Sequence, residues 1–530
     1  MKKKILIITL CAGLIVISPL TFGYNVESNI IKLESSSSKS PVIQWEKRFG
    51  GEHTTDECHY VRQTSDNGYI LCGRSAYYNP YGWYDAWLVK TDENGKMIWN
   101  ESYGVYGGDE LDDAWSVGQT SDGGYIFCGS NAGGTSWLVK IDCNGSIEWE
   151  KSYDLGGGLF SVKQVFDGSY VVGGFSGSGK ALLMKTYANG TEQWRSLWVF
   201  GRYINRVNSI EVTSDNGFVL TGWYTPYDSD YRGIFLVKTD SNGAEEFQKT
   251  FQMQHYYQQT KSVHQTSEGG YILAGSRTLE NTPTLVLLIK TDNEGNETWN
   301  RTYDNSFTDK WFGEDVQLTS DGGFIIIAKE DDTYAASWLI KTDVDGNVEW
   351  DLIIGGFELN RIKFVCVQQT SDGGFILGGV ADGVNSTLDD YYIMKINMIN
   401  DNPPDKPELD GPSSGRIFVK HTFTASTTDP DGDDVYYIFD WSDDSNSGWL
   451  GPYKPGQEIS ASHRWTTFEL WDGLIRVRAK DSHNVMSEWS DPIRFTVPRI
   501  RITDNFFLLR LLERMPALEK LLNQIYHLGL

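Results

Sequence analysis

Histidine, cysteine and basic side chains are scarce in this chain of 530 residues. Eight histidines are too thinly spread to suggest a histidine-based triad, and no His-Glu-x-x-His segment occurs. Six cysteines, of which only Cys11 falls in the first 23 residues, leave an odd number in the remainder. A fully paired framework is therefore excluded, and no spacing resembles a zinc site. Basic residues number 46 against 71 acids, a formal net charge of −25. So acidic a chain repels nucleic acid, which is excluded as a partner, and suits salty surroundings or divalent cations. Phosphate-cradling loops are lacking too. Tyr106-Gly107-Gly108 and Leu155-Gly156-Gly157-Gly158 lead into no helix and read as turns. After residue 23 no segment has the length and apolarity of a membrane-spanning helix.

The first residues carry an address. Lys2, Lys3 and Lys4 precede an apolar stretch over residues 5–17, followed by Pro19, Thr21 and Gly23. That order predicts a secretory signal over residues 1–23, cleaved near Gly23, and hence a secreted or cell-surface protein. Residues 24–41 read as a linker.

Self-similarity is the strongest feature of the remainder. Asp122-Gly123-Gly124-Tyr125-Ile126 has counterparts beginning at Asp66, Asp167, Asp215, Glu268, Asp321 and Asp372, at spacings of 56, 45, 48, 53, 53 and 51 residues. After each of the first six copies a Leu-Val-Lys-Thr-Asp-like run leads through a glycine turn to Trp99, Trp149, Trp194, Phe247, Trp299 and Trp350. A period near fifty containing several short strands is the mark of propeller blades. In the second repeat the strands are expected at 114–120, 125–130, 137–141 and 147–153, with Asp-Gly and Asn-Gly turns supplying the positive φ that tight hairpins need. Cys72 and Cys128 hold equivalent positions in two repeats and read as small core residues, with a Cys58–Cys72 bridge left open. The seventh repeat lacks its outer strand, and Val42-Ile43-Gln44-Trp45-Glu46-Lys47 matches the missing one. These observations predict an all-β seven-bladed β-propeller over residues 42–400, closed by an N-terminal strand.

The repeats resemble the secreted propellers of archaeal and bacterial surface proteins, with quinoprotein-like tryptophans at the blade ends. After the proline-rich segment Asn402-Pro403-Pro404-Asp405-Lys406-Pro407, alternating strands are expected at 420–426, 435–441, 473–481 and 492–497. With Asp429-Pro430-Asp431-Gly432-Asp433-Asp434 and Ser487-Glu488-Trp489-Ser490-Asp491, residues 401–498 resemble a PKD-type, immunoglobulin-like β-sandwich. That resemblance implies a spacer or adhesive unit. Residues 499–530 place apolar side chains at helical spacing and predict a short amphipathic helix, kinked at Pro516. It docks on its own protein or on a membrane surface or partner.

Candidate chemistry is sparse. Asp429, Asp431, Asp433 and Asp434 suit a hard cation such as Ca²⁺, the alternative being a solvated turn. Asp343-Val344-Asp345-Gly346-Asn347 reads as a plain hairpin turn. Sequons at Asn100, Asn144, Asn189, Asn296, Asn300 and Asn385 are candidate glycosylation sites in a cell with that machinery. The Asp-Gly-Gly and Asn-Gly turns share one face of a propeller. Longer aromatic connections share the other, where variable loops on a rigid scaffold carry function. Tyr81, Trp83, Tyr84, Trp223, Tyr224, Tyr227, Tyr256 and Trp311 are the candidate ligand-binding residues, suited to a glycan or a surface protein. A binding, adhesion or scaffold role is favoured over an enzyme because repeats are well marked and catalytic signatures are not. A polysaccharide hydrolase or lyase centred in the channel, and a purely structural envelope component, are the alternatives.

Overall fold

The computed structural model describes residues 30–32 and 39–498, apart from positions 52–54, 77–83, 105–110, 132–133, 228–230, 253–254, 281, 306–307, 309, 331–335, 357–360, 383–388, 444, 467–470 and 484. The expected signal segment, most of the expected linker, the expected tail helix, Tyr81, Trp83 and Asn385 lie outside the described residues. Within them the chain is all-β, with no helix.

Among the described residues, seven repeat sheets follow one another, each built on four antiparallel strands, with a fifth added to the sixth sheet. The second comprises Asp113–Gln119, Tyr125–Asn131, Thr135–Ile141 and Ile147–Tyr153. Its first hairpin shows why the motif recurs. Thr120 Oγ1 and Gly124 N donate to Asp122 Oδ1 at 2.5 and 3.0 Å. Gly123 sits at φ 86°, where a Cβ would strain the chain.

The lysine of the Leu-Val-Lys motif completes this turn in every repeat. Lys140, 2% exposed, reaches Asp122 at 3.1 Å and donates to the Ile141 carbonyl at 3.0 Å. The same pairing joins Lys90 to Asp66, Lys185 to Asp167, Lys238 to Asp215, Lys290 to Glu268, Lys341 to Asp321 and Lys395 to Asp372, at 2.8–3.1 Å. Hydrogen-bonded charge at both ends is what lets a lysine sit in a sheet core. Nothing in the sequence reading had assigned this role.

Adjacent sheets are joined by two repeated contacts. The outer-strand indole of one sheet meets the second-strand ring of the next, as in Trp99–Tyr125, Trp149–Tyr170 and Trp299–Phe324, with centroids 5.8–6.3 Å apart. Turn serines Ser65, Ser121, Ser214 and Ser320 donate their backbone N–H to Gln119, Gln164, Gln265 and Gln369 of the following sheet, at 2.7–2.8 Å.

The seventh sheet draws on both ends of the array. Lys39–Phe49 pairs antiparallel with Asp389–Asn400, Val42 opposite Asn397 and Phe49 opposite Tyr391. Ile30–Lys32, inside the stretch read as linker, instead forms a fifth strand on Val348–Gly355 of the sixth sheet.

Residues 401–498 form two facing sheets, Glu408–Asp410, His421–Ser426 and Ile459–His463 against Leu450–Tyr453, Val435–Asp440, Trp471–Lys480 and Ile493–Val497. Phe423, Phe439, Trp441, Trp465 and Phe495 fill the space between them. Cys58, Cys72, Cys128, Cys143 and Cys366 are free thiols, so Cys58 and Cys72 are not bridged. Cys72 and Cys128 are fully buried.

Candidate functional site

Each first strand of the seven repeat sheets breaks register at the same place. The shifts fall between Cys58 and Tyr60, Ala114 and Ser116, Leu159 and Ser161, and Val207 and Ser209. They recur between Thr260 and Ser262, Gly313 and Asp315, and Phe364 and Cys366. A bulge of this kind leaves one residue out of the ladder and re-aims its side chain. The displaced residue always stands seven positions before the acid of the following turn. All seven line a single cavity of about 540 Å³.

The ring they make is two-sided. His59, Trp115 and Phe160 form an aromatic arc. His59 stacks on Trp115 at 4.2 Å and 10°, and Phe160 meets Trp115 edge-on at 5.6 Å. Asn208, Lys261 and Glu314 form a polar arc, with Val365 between the arcs. Asn208 Nδ2 donates to the Thr260 carbonyl at 2.6 Å. Glu314 lies 3.6 Å from Lys261 and 3.4 Å from Lys329. Burial pushes its pKa up, but the two lysines prevail and hold it below the ordinary glutamate value.

Charge continues above and below the ring. Arg74 donates to both oxygens of Glu57 at 2.7 Å, lies 3.6 Å from Asp113 and covers the ring of Tyr84 at 4.5 Å. Deeper, Arg62, Lys163, His264 and Gln317 separate this cavity from a second one of about 800 Å³ on the turn side. His264 pairs with Glu211 and contacts Gln317 at 2.9 Å. Burial, then Arg62, brings Lys163 down to about 8.

The sequence-derived aromatics fare unevenly. Tyr84 is half-buried beneath Arg74, and Trp223 lies under Arg232 at 4.1 Å. Tyr227 is 69% exposed and Tyr256 half-buried. Tyr224 and Trp311 are corrections: both are core residues, Trp311 fully buried against Trp338 at 5.3 Å, so neither ring faces a ligand. The residues that do converge, Trp115 and Phe160 above all, were missed. Their signal was chemical variety at one fixed position of an otherwise regular repeat.

The sequons divide similarly. Asn144, Asn189 and Asn296 are exposed in turns. Asn100 and Asn300 lie half-buried in outer strands, accepting from Trp87 Nε1 at 3.1 Å and Arg277 at 3.5 Å.

The four expected metal ligands do not act together. Asp434 pairs with Lys454 at 2.7 Å. Asp431 accepts from Asn402 N at 2.6 Å. Asp433 instead converges with Asp401 and His483, whose ligand atoms all lie within 4.8 Å of one another. Asp429 and Asp481 flank them, each with Oδ1 capping backbone N–H groups and a buried Oδ2 that accepts no hydrogen bond. Burial, then Asp401, raises Asp481 to about 6. The crowded carboxylate oxygens fit a hard divalent cation, while the imidazole also suits manganese or zinc.

Propeller-like repeat sheets followed by a β-sandwich define the class of protein. No family model matches the chain, and no curated protein is similar to it. Among solved structures, the PKD domain of an M14-like peptidase from Thermoplasmatales archaeon SCGC AB-540-F20 is 35% identical over 19% of this chain and 99% of its own, with a TM-score of 0.18. Prolyl oligopeptidase B from Galerina marginata, as apo protein, is 10% identical over 70% of this chain and 56% of its own, with a TM-score of 0.36.

Proposed function

We propose that residues 42–400 form a closed seven-bladed ring on a secreted or cell-surface protein, and that this ring binds a glycan at its axial mouth without turning it over. Support for closure comes from the junction of the seventh and first sheets. Ser371 N donates to Gln63 at 2.9 Å and Trp45 meets Tyr69 at 5.6 Å, the same contacts that join the other sheets.

The observation that carries the glycan reading is the two-sided ring of bulged residues. A sugar has an apolar C–H face and polar edges, matching an aromatic arc opposite amide, ammonium and carboxylate groups. Glu314, held ionised between two lysines, is poorly suited to the protonated role that glycoside cleavage demands of one carboxyl. On a glycan array and by titration calorimetry, the mature protein is expected to bind a subset of polysaccharides and leave them intact. Trp115→Ala should weaken binding roughly thirtyfold, a hot-spot loss of about 2 kcal/mol. Cleavage abolished by Glu314→Gln would replace this reading with a hydrolase or lyase. Failure to bind any glycan would leave a structural role.

A divalent cation, calcium first among candidates, is proposed at Asp401, Asp433 and His483, where it would tie the end of the ring to the sandwich. Asp433 stands in both this set and the loop marked in the sequence. After chelation, adding Ca²⁺ is expected to raise the melting temperature of the wild type and not of Asp433→Asn. A response to Mn²⁺ or Zn²⁺ alone would reassign the metal, and no response to any would remove the site.

A further inference from the structure

One quadrant of the cavity mouth, where the third and fourth repeat sheets meet, carries stacked arginines. Arg206 lines the cavity and lies 3.6 Å over the ring of Phe160. Arg232 lies 4.1 Å over Trp223, and Arg202 5.1 Å over Tyr203. Among the described residues neither Arg206 nor Arg232 has a carboxylate at ion-pair distance. Arg206 Nε is buried without a hydrogen-bond partner. Burial, then the neighbouring Arg232, brings the Arg206 guanidinium down to about 10.

Arg74, Lys261 and Lys329 at the mouth have carboxylate partners, Glu57 for the first and Glu314 shared by the two lysines. Two neighbouring guanidiniums with no carboxylate at ion-pair distance among the described residues stand out in a chain of net charge −25. Holding like charges together costs stability, and among the described residues it is offset by the rings beneath them and not by an opposite charge. A guanidinium stacked on a ring keeps its in-plane N–H donors free, a geometry that matches the paired oxygens of a carboxylate or sulfate.

We infer that this quadrant receives the carboxylate or sulfate of an acidic sugar, with Arg206 as the inner donor and Arg232 at the rim, while the sugar ring lies against Trp115 of the adjoining aromatic arc. The inference rests on the glycan reading above and names its ligand class. An acidic peptide would use the arginines but offer no flat apolar face to Trp115. The far field of the protein repels polyanions, but at about 0.15 M salt it is screened beyond roughly 8 Å. Recognition is then local.

The test is calorimetric titration of the mature protein, at that salt, with a polyuronate, a sulfated galactan, a neutral galactan of equal length, polyglutamate and inorganic sulfate. At least one acidic glycan should bind at least tenfold tighter than the neutral one. Arg206→Gln should erase that preference, and Arg232→Gln, at an exposed position where folding is not at stake, should reduce it severalfold. Equal affinity for neutral and acidic glycans, lost in Trp115→Ala but kept in both arginine variants, would overturn this inference and leave the glycan reading standing. Equal binding of polyglutamate would overturn it in favour of an acidic peptide. Sulfate competing as strongly as the polymer would reduce it to a free-anion site. Binding of no ligand would sink both readings.

Discussion

A protein that begins at residue 50 is expected to lose its cooperative thermal transition and to self-associate. Lys39–Phe49 is the outer strand of the seventh sheet and is continuous with none of its partners in sequence. It brings Val42, Ile43, Trp45 and Phe49 into partial or full burial, Trp45 reaching Tyr69 of the first sheet. At about 1.5 kcal/mol for each such side chain, the strand contributes about 6 kcal/mol, comparable to the whole stability of many domains. Its loss also bares the N–H and C=O groups of Asp389–Asn400, an edge that templates pairing with other chains. Gly95 adds a further dependence, since a Cβ there would come within 2.6 Å of Trp45; the first sheet is shaped around that indole. Size-exclusion chromatography and thermal melting would check this, with a protein beginning at residue 39 as the control. Among the described residues the control loses the short Ile30–Lys32 pairing alone, and it should melt within a few degrees of the full chain. A synthetic peptide of residues 39–50 should restore the transition in the truncated protein, as strand addition at a free edge allows. Unchanged melting of the protein beginning at residue 50 would show that the ring does not depend on this strand, and the shared mouth argued from it would lose its basis.

That strand was legible because Trp45-Glu46-Lys47 repeats the pattern of Trp149-Glu150-Lys151. Local turn chemistry was legible for the same reason: an Asp-Gly pair in a two-residue turn leaves few alternatives, so strand limits in the second repeat fell within two residues of those found. The sandwich strands at His421–Ser426 and Ile493–Val497 were similarly visible in alternating burial. Short strands with no alternation to betray them, Glu408–Asp410, Leu450–Tyr453 and Ile30–Lys32, were not. The candidate site was hidden for a deeper reason. A bulge is a property of two strands in register, and one strand read alone cannot announce it. His59, Trp115 and Phe160 look like ordinary members of an alternating run until the ladder shows them skipped. The proposed metal set was visible only in part. Asp433 sits in an obvious acidic loop, whereas Asp401 and His483 reach it only through the fold, across 32 and 50 residues of chain.

Trp311→Ala is expected to cost about 4 kcal/mol of stability while leaving ligand affinity per folded molecule unchanged. Its indole is fully buried within a cluster that includes Val286, Tyr303, Val316, Ala328 and Trp338, and its Nε1 donates to Asn305 Oδ1 at 3.0 Å. Removing it leaves a cavity that rigid sheets on either side are slow to refill, which places the loss toward the upper end for large-to-small changes. For a unit of this size the melting temperature should fall by about 5 °C. Trp115 is the opposite case. It is half-buried at the cavity wall and held by His59 and Phe160, so its removal should cost stability little and binding much. The pair separates two meanings of an aromatic residue in a propeller, filler between sheets and contact surface at the mouth. Melting curves and titrations on both variants, taken well below the transition so that Trp311→Ala remains folded, measure the separation directly. If Trp311→Ala weakened binding as much as Trp115→Ala, the ligand would have to contact the interface between the fifth and sixth sheets. The mouth defined by the bulged residues would then be only part of the site.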